Sequence, residues 1–188
     1  EVGETVDVGA VMKEKGWTRG FLKPVVGATA RETLPFDDSV DGVAAATEHL
    51  ERLLPNEAMI LQPFCESVKT EGEYSAIYFG GELSHGVQKI PVPGDYRVQD
   101  DFGASDKPHE FSAADFERVG QVLEALDKLR SERFAEAAPL LYARVDLLRD
   151  VHGDLCLNEL ELVEPSLFFR HDSESPARLV RALEQYLS

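Results

Sequence analysis

Cysteine is scarce in this chain, with 2 in 188 residues, at Cys65 and Cys156. Two are too few for a disulfide framework, and they lack metal-ligand spacing. Both sit in apolar runs and are expected to be buried, reduced thiols, which suits a cytoplasmic setting. No apolar run approaches the roughly 20 residues that cross a bilayer, and no charged-plus-apolar leader opens the sequence. Positive charge is also in short supply: 19 Lys and Arg face 35 Asp and Glu, for a net charge of −16. Such a field repels nucleic-acid backbones and anionic membrane surfaces, so neither is expected as a partner. There is no GxGxxG and no GxxxxGK followed by Ser or Thr, so a nucleotide would have to bind by another route. No Ser–His–Asp or Cys–His arrangement suggests a side-chain nucleophile. His85, His109, His152 and His171 show no ligand spacing and read as surface or core residues. The first residue is Glu1 rather than methionine, which suggests a truncated or processed piece.

What is present is a regular alternation of short elements. Residues 1–19 give no clear pattern. Phe21 to Val26 reads as a strand, followed by the small-residue loop Gly27-Ala28-Thr29-Ala30. From Ser39 to Leu54, Val43, Ala46, Leu50, Leu53 and Leu54 recur at helical spacing until Pro55 ends the run. Ala58 to Phe64 is a second short strand. Tyr74 to Phe79 and Leu83 to Ile90 flank Gly80-Gly81, a pair suited to a tight hairpin turn. Pro91 to Glu110, rich in proline and polar residues, reads as a long loop. Ser112 with Asp115 forms a helix-capping signature ahead of the stripe Phe116, Val119, Leu123, Leu126 and Leu129, expected to face a core. A second hairpin spans Leu140 to Arg149 and Asp154 to Val163. A last helix opens at Pro176 with the apolar face Leu179, Val180, Leu183 and Leu187. This order predicts an α+β protein with antiparallel sheets and helices packed on one side.

The second hairpin carries the chemistry. Strand side chains alternate faces, so Tyr142, Arg144, Asp146 and Leu148 share one face of the first strand, and Leu155, Leu157, Glu159 and Glu161 likewise share one face of the second. A two-residue turn at His152-Gly153 places Asp146 opposite Glu159 and Arg144 opposite Glu161, all on one side of the sheet. Three carboxylates there repel one another unless a cation sits among them. An all-oxygen set suits Mg²⁺ or Mn²⁺, and magnesium commonly completes its shell with substrate phosphates. On spacing alone, the same pattern also fits a solvated face on which Arg144 pairs one glutamate.

Arg144-Val145-Asp146 followed by Asn158-Glu159-Leu160-Glu161 resembles the metal-binding signature of ATP-grasp ligases such as prokaryotic glutathione synthetases and D-alanine–D-alanine ligases. The resemblance implies the ATP-grasp fold and an ATP- and Mg²⁺-dependent carboxylate–amine (or thiol) ligase working through an acyl phosphate. Asp146, Glu159 and Glu161 would hold the metal, with Glu161 replacing those families' asparagine, and Arg144 would stabilise the transferred phosphoryl group. Leu22-Lys23-Pro24 looks like the strand whose lysine meets the α-phosphate and adenine. The loop after it departs from the family's glycine-rich pattern, although Thr29 could add a hydroxyl donor to phosphate. Gln62, Pro63, Phe64 and Cys65 resemble the adenine hinge, and Glu73 the ribose-binding acid. Lys89 matches a phosphate contact, and Arg97 lies in a segment like the one covering the acceptor site. Ser75 stands where glutathione synthetases have arginine, which argues against glutathione synthesis.

The loops Val25–Thr33 and Gly94–Gly103 look closer to the cyclo-ligase branch acting on O-ureido-serine than to true glutathione synthetases. By this comparison residues 1–64 are the remnant of a first subdomain, and residues 65–188 form a second one with the metal-binding hairpin. An upstream front half is expected to be missing, and the chain alone to bind Mg-ATP weakly or not at all. Small-molecule carboxylates and amines are the expected partners, with a homodimer left open. The competing reading is a non-catalytic nucleotide-binding or protein-interaction module.

Overall fold

The computed structural model describes residues 2–134 and 139–188; Glu1 lies outside them. The chain forms two compact units, Glu1–Phe64 and Cys65–Ser188.

The first unit contains α1 (Val8–Lys15), β1 (Arg19–Pro24), β2 (Leu34–Asp37), α2 (Val40–Leu53) and β3 (Met59–Pro63). Its sheet is antiparallel in the order β2-β1-β3, with Leu22 opposite Leu34 on one side and Leu61 on the other. Ser39 caps α2 by accepting from the Gly42 N–H, satisfying a donor that the first helical turn leaves without a partner. Val8, Met12, Leu22, Phe36, Ala46 and Leu50 close the core. Two elements here had no clear sequence pattern. Helix α1 is only eight residues long, so just Val8 and Met12 are buried along it. Its ends are nonetheless marked, by Asp7 capping the Ala10 N–H and by Gly16 in the left-handed region. Strand β2 is four residues with one proline, too short for a period to show.

The second unit contains α3 (Ser67–Thr70), β4 (Glu73–Phe79), β5 (Glu82–Ile90), β6 (Ser105–His109), α4 (Ala113–Arg133), β7 (Tyr142–Arg149), β8 (Leu155–Glu161) and α5 (Ser175–Leu187). Its five strands are antiparallel in the order β6-β5-β4-β7-β8. Helix α4 lays Val119, Val122 and Leu123 on the sheet face formed by Tyr74, Ala76, Tyr78, Val145 and Leu147. The opposite face is apolar at one end, where Ile77, Phe79 and Val87 meet Phe168 and Ala182. The rest of that face is polar and forms the candidate site.

Several sequence expectations need correction. The supposed loop 91–110 contains strand β6, which pairs with β5 through Lys89 opposite Asp106. Its Asp, Lys and Pro content hid an edge strand, where such residues are tolerated. On α4 the stripe is narrower than its spacing implied, because Phe116 and Leu129 are exposed. On α5, Leu179 and Ala182 reach the core, whereas Val180, Leu183 and Leu187 are exposed, Leu187 at 75%.

Gly72, just before β4, has φ +81, and a Cβ there would lie 1.9 Å from the Lys89 carbonyl oxygen. Both the conformation and the close approach exclude a side chain. Gly72→Ala is therefore expected to destabilise the second unit by about 3 kcal/mol, read as a lowered denaturant midpoint.

Candidate metal and phosphate site

The polar face is assembled by register. Ser75 on β4 lies opposite Asp146 on β7, which lies opposite Glu159 on β8. One step along, Ile77, Arg144 and Glu161 form the next row. Lys89 on β5 lies opposite Glu73 on β4. The pairings of Asp146 with Glu159 and Arg144 with Glu161 are those expected from sequence, but they arise differently. Near the turn the pairing is shifted by one residue, with Leu147 opposite Leu157 and Arg149 opposite Leu155. A bulge between Asp146 and Leu147 absorbs the shift and leaves Asn158 as the extra residue. The shared face expected for Leu155, Leu157, Glu159 and Glu161 is thus broken at Asn158. Leu155 joins the core beneath α4, while the two glutamates meet Asp146 on the other side.

Oxygen atoms of Asp146, Glu159 and Glu161 lie within 4.8 Å of one another. Asp146 is fully buried and is held by protein cations. Arg144 donates from Nε to both its oxygens at 3.1 and 3.0 Å, and from an Nη at 2.9 Å. The same guanidinium pairs with Glu161. Lys89 Nζ lies 3.3 Å from Asp146 and pairs with Glu73. The Ser75 hydroxyl adds a donated bond of 2.5 Å to Asp146. Glu73, only 5% exposed, also accepts from Asn158 at 2.5 Å.

These contacts set the ionisation. Burial pushes the Asp146 carboxyl up, but Lys89 and Arg144 overcome it and hold the group below the usual carboxylate range. Glu161 goes the other way: burial raises it, and the Arg144 charge offsets this only in part. Burial also opposes the charge on Lys89, yet Asp146 and Glu73 raise its pKa overall. The donor set fits a hard divalent cation, since it is all oxygen, carries excess negative charge and converges on one point.

The structure brings Arg144, Asp146, Glu159, Glu161, Glu73 and Lys89 together on one face. Arg97 lies elsewhere in the second unit, with its guanidinium bonded to Asp95 at 2.7 Å and 3.8 Å from the centre of the Phe102 ring. In the first unit, Lys23 on β1 pairs with Ile60 and Gln62 on β3 with Phe21. Phe64 packs on Phe21 at 6.0 Å and beneath Arg19 at 4.5 Å, while Pro63 is exposed at the strand end. Thr29 and Ala30 occupy an exposed turn in the left-handed region, at φ 51 and 53, a costly conformation for a β-branched residue. Cys65 and Cys156, both expected to be buried, are both half-buried free thiols, and the Cys65 side chain acts on the Cys156 thiol. Ser75 and Asn158 were not among the candidate site residues. Their partners lie 71 and 85 positions away, so no local pattern could have revealed them.

No family model matches the chain. The cycloserine biosynthesis protein DcsG of Streptomyces lavendulae is 30% identical over 177 residues, covering 88% of this chain and 54% of that protein. The crystal structure of D-cycloserine synthetase DcsG superposes with a TM-score of 0.81 at 26% identity, over 97% of this chain and 62% of that one. D-alanine–D-alanine ligase from Bacillus anthracis, solved with ATP, gives 0.64 at 16% identity over 98% and 56%. The ATP-grasp ligase PsnB, complexed with a minimal precursor, Mg and ADP, gives 0.61 at 14% over 97% and 52%. The chain therefore spans a little over half the length of the relatives it matches. Among the described residues, no helix is long and apolar enough to cross a membrane.

Proposed function

The chain has the ATP-grasp fold and is related in sequence to DcsG, and on that premise we propose that it carries the ATP-binding and catalytic machinery of a carboxylate–amine ligase. The supporting observation is the convergence of Asp146, Glu159 and Glu161 beside two buried cations. In this reading units 1 and 2 are the two ATP-grasp subdomains. Asp146, Glu159 and Glu161 hold Mg²⁺, or Mn²⁺ in its place. A bound metal of this kind neutralises phosphate charge and orients the γ-phosphoryl group.

The reaction is phosphorylation of a substrate carboxylate by ATP, then attack of an amine (or thiol) on the acyl phosphate with loss of phosphate. The protein's task is positioning and charge stabilisation. Arg144, buried and bonded to Asp146, Glu161 and the Ser166 carbonyl, supplies a fixed positive charge beside the carboxylates, where phosphoryl oxygens would exchange for part of those contacts. Lys89 supplies a second charge, kept in place by Glu73, which Asn158 in turn orients. Lys23, Thr29 and the hinge Gln62–Cys65 are assigned to the nucleotide, and Arg97 to the acceptor. Glu73 is better suited to anchoring Lys89 than to meeting ribose, because it is buried and already bonded.

The test is ATP-dependent phosphate release by the full-length protein with Mg²⁺ and a panel of amino acids and amino-acid derivatives. The proposal expects release that depends on one acid and one amine and that is lost in Glu159→Ala. Nucleotide binding that survives Glu159→Ala, with no turnover on any panel member, would instead identify a non-catalytic module.

A further inference from the structure

The two cysteines are remote in sequence and adjacent in the fold. Cys156 lies on β8 opposite Leu148, and its Sγ is 3.2 Å from the Leu148 carbonyl oxygen. The Cys65 side chain acts on this thiol and shifts its ionisation. Cys65 is the first residue of the second unit and follows β3 and Phe64 directly. The segment after it is fastened to the same hairpin, since the Ser67 hydroxyl donates to the Arg149 carbonyl at 2.6 Å. Both thiols are half-buried, so a small reagent has a route to them. None of the carboxylates assigned to the metal is needed to make this contact.

We propose that Cys65 and Cys156 form a reversible dithiol–disulfide pair that reacts with low-molecular-weight disulfides. The pair is a modification site separate from the metal cluster. In the first step the Cys156 thiolate attacks one sulfur of the small disulfide, forming a mixed disulfide and expelling one small thiolate. Cys65, after losing its proton to solvent, then attacks the Cys156 sulfur and expels the second small thiolate. Two protein thiols are oxidised, and one small disulfide is reduced to two thiols. With Ser67 tied to the Arg149 carbonyl and Cys156 to that of Leu148, the two thiols belong to segments held at the same end of β7 and need little backbone movement to reach bonding geometry.

Cys156 is the better first nucleophile. The hydrogen bond from Cys65 brings its pKa down to about 7, against burial and the opposing charge of Asp150, with the Leu148 and Cys156 backbone also contributing. A thiol poised near ambient pH combines thiolate population with nucleophilicity. A bond here would staple the start of the second unit to β8. If the proposed function holds, it would also fix the residue that ends the adenine hinge.

The experiment equilibrates the protein in buffers of reduced and oxidised glutathione, quenches it with acid and maps it by mass spectrometry. The expected result is a Cys65–Cys156 cross-link within one chain that forms and disappears with the glutathione ratio. Cys65→Ser should instead stop at a stable glutathione adduct on Cys156. Iodoacetamide at pH 7 should label Cys156 about five- to tenfold more slowly in Cys65→Ala, which removes the donor that serine would keep, the fall in thiolate being partly offset by the greater nucleophilicity of a more basic thiol. Wild-type protein that stays reduced, or that accumulates only glutathione adducts or links between chains, would overturn the proposal. These readouts use no ATP, so they stand or fall independently of the ligase reading. A separate comparison of Mg-ATP affinity in the oxidised and reduced full-length protein then reports on the hinge.

Discussion

Replacing Asp146 by asparagine is expected to destabilise the second unit by about 3–5 kcal/mol, the range found when one partner of a buried ion pair is removed. The side-chain volume barely changes, so the loss is electrostatic. Lys89 and Arg144 would be left close together, with Glu73 and Glu161 as their remaining carboxylates. Urea unfolding of Asp146→Asn, Lys89→Met and the double variant forms a cycle that separates this effect from packing. The double variant should lose less than the sum of the two single losses, because the Lys89–Asp146 contact is then removed only once, while Lys89→Met costs Glu73 its partner in either background.

The pH dependence gives a second readout of the same contact. The Asp146 pKa is depressed in the folded state. Its stabilisation is therefore present above the unfolded value of about 4 and is lost as pH falls through the folded value. Wild type and Asp146→Asn should accordingly differ most near neutrality and converge in acid. A cycle with no coupling would show that the buried cations find other partners.

Arg144→Lys is expected to reduce kcat of the full-length enzyme by about 10²- to 10³-fold, the cost of losing one well-placed charge-stabilising donor. Lysine keeps the charge but lacks the fork that now reaches both Asp146 and Glu161. Because the lost interaction belongs to the transition state, KM for ATP should move much less than kcat. A rise in KM with unchanged kcat would place Arg144 in ground-state binding only. The Asp146 prediction rests on contacts already present in the protein, whereas this one also requires the proposed chemistry.

The hairpin was legible in the sequence because its information is local. Strand alternation and one turn were enough to pair Asp146 with Glu159 and Arg144 with Glu161. The turn is longer than the two residues assumed, and the pairing holds only because Asn158 bulges out and restores the register. The surrounding support was not legible. Lys89, Glu73 and Ser75 reach Asp146 and Asn158 through the pairings of β5 with β4 and of β4 with β7, which no sequence period encodes. Strand β6 was hidden by the polar residues that an edge position accepts. Contact between Cys65 and Cys156 was invisible for the same reason, since sequence gives their number but not their distance.

The central claim is that Asp146, Glu159 and Glu161 form one divalent-cation site. The most direct measurement is Mn²⁺ titration of the purified chain, with free Mn²⁺ followed by electron paramagnetic resonance, on wild type and on Glu159→Gln, Glu161→Gln and the double variant. Circular dichroism would confirm that each variant is folded. One saturable site is expected in wild type, weakened in each single variant, abolished in the double variant, and competed by Mg²⁺. Equal Mn²⁺ binding by wild type and the folded double variant would contradict it.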